Sequence, residues 1–338
     1  MRVAVVGATG MVGEVFLSLL QERHFPLGRL LLLASERSAG KLVDFSGHSH
    51  QVELLSSFDF TTVDIAFFSA GSEVAKKFAG KSIFIPGNHD WYNGLEGLKR
   101  EEKLVEKALG KKSFLPQNGC PLEKVNISKN VVLIIVDTHW YLTNWDNHPT
   151  INDNCEIKTR VKFFDELEGL IKKSRGKTTL IALHHPMFTN GSHGGEYSAK
   201  SHLSPLPVLG SVKNLIRKTS GLTNTDIQNK KYNELKKHIV TLSQENDKTI
   251  FVSGHDHNLQ YIVKDNLHQI ISGSGSKTTA TKLSEGAKFT YGAQGFAKLD
   301  VYKDGSSKVS FYTVKDDKIV YQSEVLPPNE NKTFTTFP

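Results

Sequence analysis

Histidine, asparagine and aspartate side chains directly follow four apolar runs of this sequence, and these residue types bind metal ions. The four blocks are Gly87-Asn88-His89-Asp90, Asp137-Thr138-His139, His184-His185-Pro186 and Gly254-His255-Asp256-His257. Neutral imidazole and amide oxygen suit Zn, Fe and Mn. Because the carboxyl ends of parallel strands meet at one edge of an α/β sheet, we expect these blocks to lie close together. The pattern predicts a metal site, with an acid–base group beside a ligand in the Gly-Asn-His turn.

A second chemistry is indicated by the glycines at positions 7, 10 and 13. They stand between a strand-like run over 2–6 and a helical pattern over 14–21, the order that a dinucleotide-binding loop requires. Glycines let the backbone approach a pyrophosphate, and the start of the helix stabilises its charge. The spacing is Gly-x-x-Gly-x-x-Gly, so a tight strand-to-helix turn without a ligand is the alternative.

Strands and helices alternate along most of the chain, which predicts an α/β fold. Apolar runs predict strands over 2–6, 30–33, 63–68, 82–85, 131–136, 178–183 and 249–252. Helical periodicity predicts helices over 14–21, 72–79, 101–109, 158–173 and 232–244. Antiparallel strands are predicted near the end, over 269–272, 295–302, 308–314 and 318–325.

Composition divides the chain near residue 80. Residues 1–80 have a net charge of −1 and the remainder +8, and every asparagine, tyrosine and tryptophan lies in the remainder. The lysines are dispersed, so we expect no nucleic-acid partner, and no apolar run approaches the roughly 18 residues of a membrane helix. Two cysteines exclude a disulfide framework. The start of the sequence has no secretory signal, which gives a cytoplasmic expectation.

Residues 1–80 closely resemble the start of aspartate-semialdehyde dehydrogenase. The matching stretches are Gly7–Gly13, Leu33–Lys41 and Asp64–Gly71. The resemblance implies an NADP-binding loop formed by Gly7, Thr9, Gly10, Met11 and Val12. It also implies a cluster at the 2′-phosphate of NADP, formed by Ser35, Arg37 and Ser38. The family's catalytic Asn-Cys-Ser/Thr segment and its substrate domain are missing. Cys155 is followed by Glu156, and we interpret it as an ordinary thiol.

Residues 81–338 resemble the calcineurin-like metallophosphoesterases, in their purple-acid-phosphatase-like branch. The resemblance rests on the blocks at 87–90, 184–186 and 254–257, and on Asn190-Gly191-Ser192-His193-Gly194-Gly195. It implies a two-metal phosphoesterase whose substrate is a small phosphoester. The relatives of this segment are often exported from the cytoplasm.

The same resemblance assigns a role to each site residue. One metal would be held by Asn88, His184 and His255, and the other by His257. His89 and His193 would steady the phosphate and assist the leaving oxygen. We expect His185 to face the outside of its turn, and we prefer a structural role for His139.

Together the two resemblances predict a calcineurin-like α/β sandwich whose first βαβαβ segment is replaced by a Rossmann-like half. The expected division is 1–80 and 81–338, joined as one continuous α/β body. The family's first two blocks each supply an aspartate, and neither is present, so hydrolysis should be impaired. The alternatives are an NADP-binding, semialdehyde-dehydrogenase-like protein, and a non-natural hybrid without catalytic function.

Overall fold

The computed structural model describes residues 2–22, 25, 27–63, 65–68, 82–110, 112–203, 206–221, 223, 225–275, 277–313 and 319–328. The chain divides into two compact units. The first contains Met1–Ile83, Leu104–Ser113 and Thr313–Lys318, and the second contains Phe84–Lys103, Phe114–Tyr312 and Ile319–Pro338. That the two segments form one continuous body stays a prediction.

A five-stranded sheet with the order β3-β4-β2-β1-β5 forms the centre of the first unit. Its strands are β1 (Arg2–Val6), β2 (Arg29–Ala34), β3 (Leu42–Phe45), β4 (His48–Leu54) and β5 (Ile65–Phe68). β1 pairs in parallel with β2 and with β5, and helix α1 (Met11–Glu22) follows β1. Residues of β1 and β2 are buried on both faces of the sheet, as expected for a parallel sheet. The predicted strands at 2–6, 30–33 and 63–68 are therefore confirmed within a few residues.

The hairpin of β3 and β4 was not predicted from the sequence. The two strands pair antiparallel around Ser46 and Gly47, which have φ angles of 51° and 79°. Their side chains are mostly exposed, so the apolar alternation that indicates a strand is weak. The predicted helix at 72–79 lies outside the described residues.

A seven-stranded mixed sheet with the order β12-β10-β11-β9-β8-β7-β6 dominates the second unit. Its strands are β6 (Leu122–Asn126), β7 (Val131–Val136), β8 (Thr178–Leu183), β9 (Thr249–Ser253), β10 (Leu259–Lys264), β11 (Leu267–Ser272) and β12 (Ala287–Tyr291). Strand β8 pairs in parallel with β7 and with β9, and β9 also pairs in parallel with β11. The strands predicted over 131–136, 178–183 and 249–252 are confirmed, and they lie side by side.

The described helices after α1 lie between the parallel strands β7, β8 and β9, except the first of them, which precedes β6. They are α2 (Gly94–Leu109), α3 (Thr138–Leu142), α4 (Arg160–Lys172), α5 (Ala199–His202), α6 (Pro207–Ser220) and α7 (Lys230–Ser243). Tyr232, Leu235 and Ile239 form the buried stripe of α7, at the spacing that an amphipathic helix requires. The helices predicted over 101–109, 158–173 and 232–244 are confirmed, whereas α3 and α6 were not predicted.

A three-stranded sheet completes the described part of the second unit, and its strands are β13 (Gly295–Val301), β14 (Ser307–Thr313) and β15 (Ile319–Leu326). β14 and β15 pair antiparallel. Val309 and Phe311 of β14 belong to one buried cluster with Ile250, Tyr261 and Ile270 of the large sheet. This cluster joins the small sheet to the large one. The strands predicted over 295–302, 308–314 and 318–325 are confirmed within the described residues. The strand predicted over 269–272 is β11, which pairs antiparallel with β10 but in parallel with β9.

The strand predicted over 82–85 is wrong. In the structure only Phe84 forms a bridge, to Phe114, and the neighbouring residues are irregular. The segment runs into Pro86 and Gly87, which are both buried. An apolar run of four residues is too short to distinguish a strand from a buried connection.

The two cysteines form a disulfide, which corrects the interpretation of Cys155 as an ordinary thiol. Cys120 and Cys155 are bonded with their Cα atoms 5.1 Å apart. They are 35 residues apart in the sequence, so spacing alone did not indicate a pair. The bond closes a loop that contains β6, β7 and α3.

Within the described residues, no helix is long and apolar enough to cross a bilayer.

We expect replacement of both cysteines by serine to destabilise the second unit by about 3–4 kcal/mol, because the bond restricts a 35-residue loop in the unfolded chain. Urea unfolding followed by tryptophan fluorescence measures the change. The wild-type chain treated with a reductant is the matched control and should unfold like the variant. Two titratable thiols in the unfolded, unreduced wild-type chain would contradict the bond.

Candidate metal centre

The histidines of the second unit meet because three parallel strands end at the same level. Val136 of β7 pairs with Leu183 of β8, and Ala182 of β8 pairs with Val252 of β9. The residues that follow these strands therefore emerge side by side at the carboxyl edge of the sheet. This edge carries the blocks predicted from the sequence to converge.

His184 is at the centre of the group. Its Nε2 atom lies 2.9 Å from Asn88 Oδ1 and 3.1 Å from Nδ1 of His255. Gly87 makes this approach possible, since a Cβ atom there would lie 2.7 Å from His184 Nδ1. Three residues predicted to share one metal are thus in mutual contact through His184.

His255 has a left-handed backbone conformation, with a φ of 63°. Such a conformation is uncommon for a residue with a bulky side chain, and strain of this kind is concentrated at functional sites. Its Nε2 atom lies 3.4 Å from the carbonyl oxygen of Thr225. A hydrogen bond from Nε2 to that carbonyl leaves Nδ1 as the acceptor that faces His184.

His185 does not face the outside of its turn, which corrects the expectation from the sequence. Its side chain is 0% exposed, and its ring centre lies 4.3 Å from that of His255. His184, His185 and His255 each present a possible ligand atom within 4.8 Å of the others. Since two adjacent histidines follow β8, the sequence could not show that both turn inward.

His193 joins this group from a short 3₁₀ helix, Ser192–Gly194. Its ring centre lies 4.0 Å from that of His255, and its Nδ1 atom lies 3.4 Å from Asp226 Oδ1. Asp226 is almost fully buried and also accepts two hydrogen bonds from the guanidinium group of Arg217. Burial alone would raise the pKa of Asp226, but the hydrogen bonds from His193 and Arg217 hold it well below its ordinary value.

Asp256 is a residue whose role was not predicted. Its carboxylate accepts hydrogen bonds from the hydroxyls of Thr189 and Ser192 and from the backbone N–H of His193. A Cβ atom at Gly191 would lie 2.6 Å from this carboxylate. Asp256 therefore fixes the loop that carries His193, and its position between two predicted ligands was the available signal.

His89 and His257 are not part of the three-histidine group. His89 is exposed and lies against the ring of Tyr92, with the ring centres 4.8 Å apart. His257 is partly exposed, and its carbonyl accepts a hydrogen bond from the backbone N–H of Thr279. Their assigned roles, on the phosphate and on a second metal, stay predictions.

Buried groups behind the histidines are held by α3. Asp137 caps this helix by accepting hydrogen bonds from the backbone N–H groups of His139 and Trp140, and it also accepts one from Trp91 Nε1. The ring of His139 stacks on that of His185, with centres 6.2 Å apart. The structural role preferred for His139 stays a prediction.

Burial determines the protonation of these groups. It lowers the pKa values of His139 and His184 to about 4, and those of His185 and His255 well below the ordinary value. Burial raises the pKa of the Asp137 carboxyl to about 7. Burial and a hydrogen bond with Asp90 raise that of Glu101 to about 7. The histidines are therefore neutral at physiological pH, the form that binds metal ions.

The donor set fits a metal ion. Ligand atoms around a tetrahedral Zn²⁺ at 2.0–2.1 Å lie about 3.4 Å apart, close to the distances from His184 Nε2 to Asn88 and His255. The Nε2 atom of His185 is buried and has no hydrogen-bond partner, so it is a further nitrogen atom that could bind the metal ion.

In the glycine loop of the first unit, the start of the helix lies so close to the preceding turn that there is no room for a side chain at Gly13. Gly7 has a φ of 81°, and a Cβ atom at Gly13 would lie 2.3 Å from the Gly7 carbonyl oxygen. Thr9 and Gly10 lie in the turn between β1 and α1, and Met11 and Val12 begin the helix.

The residues assigned to the 2′-phosphate lie in the turn after β2. Ser35 accepts a backbone hydrogen bond from Ser38, and Arg37 is exposed between them. The strand, turn and helix therefore have the arrangement expected of a dinucleotide-binding loop.

Two family profiles match the chain. The family described as calcineurin-like phosphoesterase matches residues 59–259. The family described as semialdehyde dehydrogenase, NAD binding domain, matches residues 2–83. Both resemblances found in the sequence are therefore confirmed at the level of these families, and so is the α/β fold class with a Rossmann-like first segment.

Individual relatives cover different parts of the chain. Aspartate-semialdehyde dehydrogenase of Legionella pneumophila is 52% identical over 83 residues, which are 25% of this chain and 24% of that protein. The chain thus spans about a quarter of the length of the curated relatives it matches.

Two solved structures align with larger parts of the chain at low identity. The Plasmodium protein GAP50, described as the anchor in the inner membrane complex, is 14% identical over 98% of this chain and 90% of that chain, with a TM-score of 0.48. Purple acid phosphatase PPD1 of yellow lupin is 11% identical over 77% and 41%, with a TM-score of 0.39.

We expect the metal-free chain to lose stability as the pH falls from about 6.5 to 4. The unfolded chain binds protons at histidines that the folded chain keeps neutral, whereas Asp137 and Glu101 act in the opposite direction. The four histidines contribute more protons to this difference than the two carboxyls remove. The free energy of unfolding should therefore decrease by about 1–3 kcal/mol for each pH unit. Urea unfolding after chelation, repeated across this range, measures it.

His139→Asn should make this dependence shallower, because it removes one buried imidazole. His202→Asn, a substitution at an exposed histidine, is the control and should leave the slope unchanged. Stability that is constant or rises on acidification would contradict the assignment of these four histidines as neutral groups.

Proposed function

Because the chain belongs to the calcineurin-like phosphoesterase family, we propose that its second unit is a metal-dependent hydrolase of small phosphoesters, with slow turnover. The observation that carries the proposal is the contact of His184 Nε2 with both Asn88 Oδ1 and His255 Nδ1. These three residues would hold a divalent cation. Nucleic acids and membrane lipids are not proposed as substrates.

A bound cation would act as a Lewis acid on a phosphoryl oxygen. His193 supplies the proton chemistry beside it. Asp226 Oδ1 lies 3.4 Å from Nδ1 of His193, so Nε2 would be the atom that exchanges a proton with the leaving oxygen. Arg217 holds Asp226 in place and compensates its charge.

Slow turnover is expected from the charges of the ligands. An amide oxygen and imidazoles are all neutral, and no carboxylate belongs to the three-histidine group in the described part of the chain. The family pattern supplies two aspartates from its first blocks, and the first 80 residues here match another family instead. A carboxylate that bridges two metals is thereby missing from the sequence pattern.

The metal-loaded full chain should hydrolyse p-nitrophenyl phosphate, and a chelator should abolish the reaction. His193→Asn should lower kcat by about 10²–10⁴-fold, because it removes the proton donor, while metal content stays unchanged. His202→Asn is the matched control and should retain activity. Absence of turnover with Zn, Mn and Fe, or turnover that resists chelation, would contradict the proposal.

A second candidate function is NADP binding by the first unit. It is favoured by the match of residues 2–83 to an NAD-binding family and by the glycine geometry of the loop. The relative named above is a dehydrogenase, but the catalytic cysteine segment of that family is absent here. We therefore propose nucleotide binding without dehydrogenase activity.

Arg37→Ala should weaken NADPH binding by about 10–100-fold and leave NADH binding unchanged, because a guanidinium–phosphate hydrogen bond contributes about 1.5–3 kcal/mol. Titration followed by NADPH fluorescence measures both affinities. Arg29→Ala is the matched control, since Arg29 is exposed at the opposite end of β2. Equal losses in the two variants, or no binding at millimolar NADPH, would contradict this function.

A further inference from the structure

His185 has a buried nitrogen atom that no hydrogen bond explains. Its Nδ1 atom lies 2.7 Å from the hydroxyl oxygen of Thr138, whereas its Nε2 atom is buried and has no partner. Leaving such an atom without a hydrogen-bond partner is unfavourable, because the atom has lost its contact with water. A bound ion is one of the few explanations that a native protein offers for a buried group of this kind.

The surroundings of this nitrogen are other imidazoles. The ring centre of His185 lies 4.3 Å from that of His255 and 5.0 Å from that of His184. The three side chains each offer a ligand atom within 4.8 Å of the other two. Metal ions are bound by convergent lone pairs of this kind, and Zn²⁺ in particular accepts a set of imidazoles.

The hydrogen bonds of the group are also incomplete without a cation. His255 Nε2 faces the Thr225 carbonyl, so His255 Nδ1 carries a lone pair, as does Asn88 Oδ1. Both lone pairs are directed at His184 Nε2, where a single proton would have to serve two acceptors. A cation at this point would satisfy both acceptors together with His184 itself.

We propose that His185 is a metal ligand, so that one divalent cation of the Zn²⁺ class is bound by Asn88, His184, His185 and His255. Thr138 is the positioning residue, because its hydroxyl engages Nδ1 and leaves Nε2 for the metal. The family pattern uses only the first histidine of the 184–185 pair. His185 thus adds a fourth neutral ligand where that pattern supplies a carboxylate.

The consequence is one metal per chain rather than two. Four protein ligands are the set of a closed site, so a phosphoryl oxygen would have to add as a fifth ligand, which agrees with slow turnover. The inference rests on the proposed function only in that both require a bound metal ion. It is therefore tested by measuring metal binding and not by measuring hydrolysis.

The test is titration of the chelator-stripped full chain with Co²⁺, followed by visible absorption, with Zn²⁺ competition to give the affinity. The expected result is one equivalent of tetrahedral Co²⁺. His185→Gln should weaken binding by more than the roughly 10–100-fold typical of an outer-shell change, and Thr138→Val should weaken it within that range. His202→Gln, a substitution at an exposed histidine, is the matched control and should bind like the wild-type chain.

Circular dichroism and the urea midpoint establish that each variant folds, and Thr138→Val tests the proposal with the imidazole retained. Two equivalents of Co²⁺, one of them lost in His257→Gln, would overturn it. Unchanged affinity in His185→Gln, or no Co²⁺ bound by the wild-type chain, would also overturn it. Metal binding through His185 without hydrolysis refutes only the proposed function, and hydrolysis with unchanged binding in His185→Gln refutes only this inference.

Discussion

The register of the parallel strands β7, β8 and β9 is the constraint on which the metal centre depends. It places Thr138 level with His185 and brings both beside His255, so the hydroxyl contact and the three-imidazole group have one common cause. A shift of one residue in β8 would reverse its inward and outward side chains and exchange the positions of His184 and His185. The apolar residues of β8 prevent such a shift, because they are buried against the neighbouring strands.

Much of this edge could be predicted from the sequence, because strand ends and metal-binding residue types are local signals. The parallel strands of the second unit and the contacts among Asn88, His184 and His255 follow the predicted pattern. The inward position of His185 and the bond between Cys120 and Cys155 depend on register and on the path of the chain, so no local pattern indicates them. The exposed β3–β4 hairpin was missed for a different reason, since exposure weakens the alternation by which a strand is found.

The two segments place different demands on their backbones. In the first unit, glycine is needed so that a helix can approach the turn before it, as at Gly13. In the second unit, glycine makes room for side chains, as Gly87 does for His184 and Gly191 for Asp256. The same residue type thus makes room for backbone atoms in one unit and for side chains in the other.

The bond between Cys120 and Cys155 links the stability of the phosphoesterase unit to the redox state of its surroundings. Disulfides persist in secretory and extracellular compartments and are reduced in the cytosol. Residues 1–80 contain no cysteine, so a change of redox state acts on the phosphoesterase segment and not on the nucleotide-type segment. The absence of a secretory signal indicates the cytosol, whereas the disulfide indicates an oxidising compartment. In the cytosol the glycine loop would be unaffected, but the unit that carries the histidines would lose a covalent restraint.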